Sequence, residues 1–259
     1  MRIDSVKSSQ VKQVTALQKK PKCRKEQRAF VVEGLKMVLE APAERLLGVY
    51  ASDSFLSQNG AERLEGIPFT EVSDQAFKAM TDTQTPQGVL AVVKAMDWKK
   101  EDFQGKEGAL LLFLENLQDP GNLGTIFRAG EGAGVTGILM SRETVDAYNP
   151  KVVRSTMGSI YRVPFAVCDN LEETLKVCKE AGVTSYAAHL GGEKNYEEAD
   201  YSTPSAFLIG NEAAGLSEKF SSFADFFIKI PMAGSVESLN AAVAASVLMY
   251  EAARQRRHK

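Results

Sequence analysis

The amino-acid sequence is most informative at Ile230-Pro231-Met232-Ala233-Gly234-Ser235-Val236-Glu237-Ser238-Leu239-Asn240. A short apolar run, residues 226–230, has the character of a buried strand, and a long apolar segment follows the stretch. Two small polar residues, Ser238 and Asn240, fall in the first turn of the helix predicted there. In open α/β sheets, a loop that leaves a buried strand and enters a helix is a common ligand site. This stretch therefore predicts a binding loop.

The composition places limits on the class of protein. The chain has 259 residues, which allows two domains, and its 44% hydrophobic and 25% charged residues are typical of a well-packed globular protein. Residues 1–10 lack the apolar core of a secretory signal and no run is long enough to span a membrane, so we expect a cytoplasmic protein. Three cysteines without metal-binding spacing and two histidines predict reduced thiols and no metal site.

The charge is unevenly distributed along the chain. The formal net charge is −2, yet residues 1–36 contain ten basic and three acidic residues, and residues 254–259 form a second basic cluster. Local basic patches on a nearly neutral protein are suited to docking on a phosphate backbone. A solvated helix face and a frayed tail explain the same pattern equally well.

The alternation of apolar patterns predicts two α/β domains. In residues 1–95 we expect helical segments within residues 9–41, with a break at Pro21, then strands at 46–50 and 68–72, a helix at 74–80 and a strand at 89–93. Residues 96–107 are polar and charged and are predicted to form a linker. In residues 108–259 we expect strands at 109–115, 137–140, 185–188, 205–209 and 226–230, and helices at 122–133, 171–181 and 239–255. Such alternation indicates a mainly parallel sheet covered on both faces.

A second strand-to-helix loop occupies residues 114–128. It contains the turn sequence Asp-Pro-Gly, after which Asn122 is predicted to cap the helix. Arg128 lies one helical turn beyond Gly124, so its side chain can lean over that glycine and reach the loop. A surface arginine and an ordinary helix cap are the simpler interpretation of these two residues taken alone.

A third loop, residues 207–217, leaves an apolar strand at Gly210, and Glu212 follows immediately. A glycine there allows a ligand to approach the backbone closely. Structurally, Glu212 needs no role beyond that of an acid near a helix start. Ser238, in the same way, is fully explained as the N-cap of the last helix. That helix is apolar on all sides, which predicts burial in a homodimer interface.

One motif is misleading. Residues 132–137 read Gly-Ala-Gly-Val-Thr-Gly and match the dinucleotide-binding pattern GxGxxG. They follow a predicted helix and precede a predicted strand, which is the reverse of the order that dinucleotide binding requires. We therefore interpret them as a helix C-cap and turn.

Taken together, the three loops resemble motifs 1, 2 and 3 of the SpoU (TrmH-like) family of SPOUT RNA 2′-O-ribose methyltransferases. The matching segments are residues 119–128, residues 210–217, and residues 230–232 with 238–240. Three spaced motifs in the right order make a specific signal. Residues 1–95 resemble, more loosely, the L30e-like RNA-binding domain found in many members of the family.

This resemblance implies a C-terminal α/β trefoil-knot (SPOUT) domain, a homodimer, and S-adenosyl-L-methionine as the methyl donor. The residues expected to contact the donor are Gly210, Ile230, Met232 and Leu239. The implied reaction is methylation of a ribose 2′-hydroxyl in RNA, with 23S ribosomal RNA as the favoured substrate. The alternatives are a transfer RNA substrate and a relative that binds RNA without catalysis.

The resemblance also implies a catalytic set of Asn122, Arg128, Glu212, Ser238 and Asn240. The family pattern makes Arg128 the general base, but a guanidinium stays protonated in proteins. We therefore expect Arg128 to stabilise the developing alkoxide and grip the adjacent phosphate, with Glu212 and Ser238 as orienting groups and Asn240 as a brace. The sequence leaves open where the hydroxyl proton goes, and whether Ser238 is a cap, an orienting group or both.

The chain departs from the common family pattern at Ala213, where many members have glycine. Alanine disfavours a positive φ. The loop geometry at this position is therefore a question for the structure, although every polar position of the motif is intact.

Overall fold

The computed structural model describes residues 2–103, 106–192, 194–236 and 238–257. The strands are β1 (Arg2–Ile3), β2 (Ala29–Glu33), β3 (Leu46–Ser52), β4 (Thr70–Val72), β5 (Val89–Lys94), β6 (Leu110–Leu114), β7 (Gly137–Ser141), β8 (Phe165–Cys168), β9 (Thr184–Ala188), β10 (Lys194–Asn195), β11 (Ser205–Ile209) and β12 (Phe226–Lys229). The α-helices are α1 (Ser9–Lys19), α2 (Pro21–Gln27), α3 (Leu35–Leu39), α4 (Asp53–Phe55), α5 (Asp74–Met80), α6 (Pro120–Ala133), α7 (Pro150–Thr156), α8 (Leu171–Glu180), α9 (Glu218–Ser221) and α10 (Ala241–Arg257). Single turns of 3-10 or π-helix occupy Ala43–Arg45, Leu56–Gly60, Glu62–Leu64, Lys100–Asp102, Ser159–Tyr161 and Tyr196–Glu198.

The chain divides into two compact units, one of Met1–Met96 with Asp146–Tyr161 and one of Asp97–Val145 with Arg162–Lys259. The domain boundaries expected from the sequence place residues 146–161 in the second domain, whereas in the structure this segment packs within the first unit. Its Tyr148 ring stacks on Phe30 with centroids 4.4 Å apart. Its Asp146 accepts a bond of 2.8 Å from the buried Arg24. No local pattern indicates this packing, because the partners are more than one hundred residues apart in the chain.

The first unit is built on a five-stranded sheet in the order β1-β4-β3-β5-β2. Strands β1, β4 and β3 are parallel to one another, while β5 pairs antiparallel with both β3 and β2. The helical pattern predicted within residues 9–41 is wrong at residues 29–33, because Ala29–Glu33 is a strand. Phe30-Val31-Val32 is a β-branched and aromatic run that is buried throughout, and such residues favour a pleated strand over a helix.

The second unit contains a seven-stranded sheet in the order β10-β12-β9-β11-β6-β7-β8, and all of its strand pairs are parallel. The chain runs from β6 through β7 to β8 on one side of the sheet, and β9 to β12 lie on the other side. Strands β6 and β11 are neighbours, but the connections that leave them run in opposite directions. This arrangement opens a crevice at their carboxyl ends, where parallel sheets bind ligands.

One predicted helix cap is wrong, and the structure identifies a second cap that the sequence left open. Helix α6 begins at Pro120, and Asp119 is its cap, because the carboxylate accepts a bond of 2.8 Å from the Asn122 amide. Helix α10 begins at Ala241, and its first turn is capped by Asn240 rather than by Ser238. In both places two residues with side chains suited to capping lie within three positions of each other, and backbone geometry selects between them. The predicted C-cap and turn after α6 is confirmed, since Gly134 has a φ of 80°.

Helix α10 packs against α6 and β11. Its buried side is composed mainly of alanine, which lets the helix backbones approach closely. Near the end of the helix, the Arg256 guanidinium donates to four main-chain carbonyls, those of Gly108, Ala109, Tyr201 and Thr203. This arginine of the basic C-terminal cluster therefore has an internal structural role, whereas His258 and Lys259 lie outside the described residues.

Candidate active site

A cleft of about 350 Å³ opens at the carboxyl ends of β9, β11 and β12, beside the start of α10. Its size falls within the usual range for small-molecule sites. Six of the residues predicted from the sequence line it, namely Gly210, Glu212, Ile230, Met232, Ser238 and Leu239. Two of the three loops that the motifs identified, residues 207–217 and residues 230–240, are thus brought together at the cleft.

A short relay of side chains joins the three loops at the edge of this cleft. Asn240 Nδ2 donates to Asn122 Oδ1 at 2.9 Å, and Asn122 Nδ2 donates to Glu212 Oε1 at 3.0 Å. The backbone amides of Gln118 and Asp119 also donate to the Glu212 carboxylate, at 3.0 and 2.9 Å. Three of the five predicted catalytic residues therefore form one hydrogen-bonded unit.

The two ends of the relay fix the orientation of both amide groups. At one end Asn240 Oδ1 accepts from the Ala242 and Val243 amides, which can only donate. At the other end the ionised Glu212 carboxylate can only accept. Each asparagine must therefore present its oxygen toward α10 and its nitrogen toward Glu212, and reversing either amide would place two acceptors face to face.

The same contacts set the charge state of Glu212. Partial burial acts to raise its pKa, but the bonds from the Asn122 side chain and from the Gln118 and Asp119 amides act in the opposite direction and dominate. The pKa of Glu212 therefore lies below its ordinary value of 4.5. The carboxylate is ionised near neutral pH and serves as a fixed acceptor rather than as a proton donor.

The loop of residues 210–217, here called the motif-2 loop, closes on itself. Asn211 and Gly215 exchange two main-chain bonds of 3.0 and 2.9 Å, and Asn211 Oδ1 accepts from the Ala213 and Ala214 amides. The positive φ in this turn falls at Gly215, at 69°, and not at Ala213. Alanine in place of the common glycine at position 213 therefore fits this loop without strain.

Gly210 marks a close approach of two chain segments. A Cβ added there would lie 2.1 Å from the carbonyl carbon of Gly215 and from the amide nitrogen of Leu216. Both contacts are to main-chain atoms, so neither can be relieved by a side-chain rotation. The closed form of the motif-2 loop consequently requires glycine at this position.

Arg128 and Ser238 stand apart from the relay. Arg128 projects from α6, is exposed, and makes no hydrogen bond or ion pair with any residue that the structure describes. Ser238 is exposed at the rim of the cleft. Both side chains are therefore accessible to a ligand, whereas Asn122, Glu212 and Asn240 already engage one another.

Sequence reasoning missed several residues that shape the cleft. Residues 188–190 line it from the end of β9, and Lys229 lines it from the end of β12. The strand at 185–188 was predicted, so the rule that ligands bind at the carboxyl ends of parallel strands could have identified the loop that follows it. Asn211 within the motif-2 loop and Glu115 outside it hold this loop through bonds to residues that only the folded chain brings together.

Within the described ranges, no cluster of three or more histidine, cysteine, aspartate or glutamate residues is arranged to hold a metal ion. In the same part of the chain no helix combines the length and the apolar character that crossing a membrane requires.

Comparison with known proteins identifies both parts of the chain. Residues 109–250 match the family model of the SpoU rRNA methylases, and residues 8–91 match that of the MRM3-like substrate binding domain. Over 250 residues, 96% of this chain and 97% of the relative, the sequence is 33% identical to the 23S rRNA (guanosine(2553)-2′-O)-methyltransferase RlmP of Bacillus subtilis. It is 30% identical over 240 residues, 88% of this chain, to the 23S rRNA (uridine(2479)-2′-O)-methyltransferase of Streptomyces viridochromogenes, covering 83% of that protein.

Solved structures agree with these matches along the whole chain. The rRNA methyltransferase of Sinorhizobium meliloti with bound AdoMet superposes with a TM-score of 0.85 at 34% identity, covering 100% of this chain and 98% of that one. The SpoU methyltransferase AviRb of S. viridochromogenes, in complex with AdoMet, gives 0.87 at 27% identity, covering 97% and 99%. The predicted fold class, a C-terminal α/β trefoil-knot (SPOUT) methyltransferase domain preceded by a smaller α/β domain, is thereby confirmed, as is the predicted class of enzyme. The chain belongs to the SpoU rRNA methylase family.

Proposed function

We propose that this protein transfers a methyl group from S-adenosyl-L-methionine to a ribose 2′-hydroxyl of RNA, with 23S ribosomal RNA as the substrate. The observation that carries the proposal is the relay of Glu212, Asn122 and Asn240, which joins all three predicted loops at the edge of the cleft. Two relatives, each matched over most of its length, are named 23S rRNA 2′-O-methyltransferases. They support the choice of reaction and of RNA.

The cleft suits the methyl donor in size and in chemistry. Its walls are made largely of loop backbone and apolar side chains, including Ile230, Leu239 and Leu248. Such walls accommodate an adenine ring and leave main-chain donors and acceptors free to bind its edges. We propose that Gly210, Ile230, Met232 and Leu239 hold the donor, which supplies an electrophilic methyl group on its sulfonium. No metal is needed for this chemistry.

Each polar residue at the site has a separate part in activating the hydroxyl. A ribose hydroxyl is a poor nucleophile, so the site must hold it in line with the methyl group and stabilise the charge that develops on its oxygen. Arg128, exposed and uncommitted to any described residue, is suited to grip the flanking phosphate and the developing alkoxide. Ser238 and Glu212 orient the ribose, while Asn122 and Asn240 keep the loops in register.

The first unit presents a basic surface for RNA. Its exposed lysines are carried by α1 and α2 and by the residue between them, at Lys12, Lys19, Lys20, Lys22 and Lys25. Exposed lysines of this kind fit a phosphate backbone and contribute affinity that depends on salt. We propose that residues 1–95 form an L30e-like RNA-docking domain and that the protein works in the cytoplasm, where ribosomal RNA is available.

We also propose that the protein is a homodimer through α10. Val243 and Tyr250 of this helix are about half exposed, at 47% and 48%. Exposed apolar residues on a long helix are characteristic of a subunit interface. Light scattering at several protein concentrations would test this directly.

Transfer of a labelled methyl group to total RNA tests the proposed reaction. The wild-type protein should label the 23S fraction, and the modified nucleotide should resist alkaline cleavage on its 3′ side because its 2′-oxygen is blocked. Arg128→Ala should lose transfer by a factor of about one hundred or more while donor affinity stays within about twofold, since the guanidinium acts on the hydroxyl and the phosphate. Labelling of transfer RNA alone would show that transfer RNA, and not 23S ribosomal RNA, is the substrate. RNA binding without any methyl transfer would refute the proposed enzymatic activity.

A further inference from the structure

We propose that Glu115 is a positioning residue for the methyl-donor cleft, acting by holding the far end of the motif-2 loop through Ser217. This inference rests on the proposed function. Glu115 does not line the cleft, and nothing in the motif pattern gives it a separate task. Its place in the fold shows what it does.

Glu115 is the first residue after β6, and its side chain reaches the loop that follows β11. Its backbone amide donates to the Ile209 carbonyl at 2.9 Å, which extends the β6–β11 pairing by one residue. Its carboxylate then accepts two bonds from Ser217, one of 2.8 Å from the amide and one of 2.7 Å from the hydroxyl. Both carboxylate oxygens are used, in the short geometry of charge-assisted hydrogen bonds.

The hydrogen bonds of Ser217 fix the direction of its hydroxyl group. Its Oγ accepts a bond of 3.1 Å from the Phe220 amide at the start of α9 and donates its single proton to Glu115. A main-chain amide can only donate, and an ionised carboxylate can only accept. The hydroxyl therefore has a fixed direction, and the end of the motif-2 loop is fixed with it.

The anchored segment forms part of the cleft wall. Gly215 and Leu216, immediately before Ser217, both line the cleft and lie against Gly210 at a distance that excludes a Cβ. The first half of the loop has its own attachments, through Asn211 to the Asn116 carbonyl and through Glu212 to the relay. The second half depends on Glu115, so releasing Ser217 would let the wall at residues 215–216 move while the relay stays intact.

This arrangement separates donor binding from the chemical step. Because Glu115 acts on the wall of the cleft and not on the relay, its loss should weaken donor binding and leave the rate at saturation nearly unchanged. A residue that only stabilises the fold would lower the melting temperature without a selective effect on donor affinity. The two roles therefore give different results.

The test measures donor affinity by calorimetry, together with kcat and KM for methyl transfer, in four variants of the full chain. Glu115→Ala should raise the Kd for S-adenosyl-L-methionine about tenfold and change kcat by no more than about threefold, since two hydrogen bonds to a charged group are lost. Glu115→Gln should raise the Kd less, because an amide can accept from the Ser217 amide and donate to its hydroxyl. Ser217→Ala should follow Glu115→Ala, and the matched control Glu180→Gln, at an exposed acid on α8, should leave both constants unchanged.

Two further measurements complete the test. The double variant Glu115→Ala/Ser217→Ala should bind the donor no more weakly than the single variant with the lower donor affinity, because the two residues act as one contact. Amide hydrogen exchange in the motif-2 loop should rise in Glu115→Ala and not in the Glu180 control.

A Kd that stays within about twofold of wild type in folded Glu115→Ala, or in Glu115→Gln and Ser217→Ala if the alanine variant does not fold, would overturn the inference. So would a fall in kcat at unchanged Kd. If the wild-type protein binds the donor but methylates no RNA, the proposed function fails while the affinity result still decides the role of Glu115. If the wild-type protein does not bind the donor, both fail together.

Discussion

Replacing Asn240 by aspartate separates the two tasks that the asparagine performs in the structure. Its Oδ1 caps α10 by accepting from Ala242 and Val243 at 2.9 and 3.3 Å, and its Nδ2 donates to Asn122. Aspartate keeps the acceptor, and it is as good an N-cap as asparagine. It cannot supply the donor, so the relay to Glu212 must break.

The structure predicts the size of each effect. Asn240→Ala removes both the cap, which contributes about 0.5–2 kcal/mol, and the relay bond, which contributes about 0.5–1.5 kcal/mol before discounting for its exposed position. Asn240→Asp loses only the second contribution and gains a favourable charge at a helix N-terminus. The melting temperatures of the two variants should therefore differ by roughly 2–4 °C for each kcal/mol of cap energy, with Asn240→Asp the more stable.

Activity should respond differently from stability. In Asn240→Asp the Asn122 amide can turn to donate to the new carboxylate, but this turn points its oxygen at Glu212. Either orientation leaves one pair of acceptors opposed, so the three loops lose their register. We expect kcat to fall about tenfold or more in both variants, because small displacements in a site of this kind are costly.

The assay combines differential scanning fluorimetry with labelled methyl transfer at saturating donor and RNA. Asn149→Asp is the matched control, because Asn149 caps α7 and takes no part in the relay. This control substitution should change neither the melting temperature nor the rate of methyl transfer. The reasoning is refuted if Asn240→Asp transfers methyl groups at the wild-type rate, or if it is as destabilised as Asn240→Ala.

Three other perturbations follow from the geometry. Gly210→Ala should abolish donor binding and lower the melting temperature, because its Cβ would meet the main chain of residues 215–216 at 2.1 Å; normal binding by calorimetry would contradict this. Arg256→Ala should cost about 2–4 kcal/mol in chemical denaturation, because four carbonyls lose their donor, whereas Arg257→Ala, at an exposed position, should be neutral. Because the pKa of Glu212 is lowered in the fold, its ionised form stabilises the protein above pH 4.5 and this contribution is lost as the pH falls further. The difference in melting temperature between wild type and Glu212→Gln should therefore shrink on acidification, and a difference that does not change with pH would exclude this role.

The accuracy of the sequence-based predictions varied with the range of the interactions involved. The strand at Ser205–Ile209 and the helix at Asp74–Met80 were predicted to the residue, because each is a short, strongly patterned segment. Residues 29–33 were predicted as part of a helical region and form a strand paired with β5, because their β-branched and aromatic side chains favour a pleated strand. The cap of α6 was misplaced by three residues, and the cap of α10, which the sequence left open, is Asn240. The choice among neighbouring polar residues depends on the backbone that enters the helix.

What the sequence by itself determined was the set of strand-to-helix loops and the chemistry they carry. Glycine, proline and small polar residues act through local backbone preferences, and these can be read along the chain. What only the tertiary structure decided was how those residues are used. Asn240 became a cap and a relay donor, Asn122 became the link between two loops, and Arg128 was left free of described partners. The physical reason is that a hydrogen bond between residues ninety or more positions apart depends on sheet order and loop packing, which no local pattern contains.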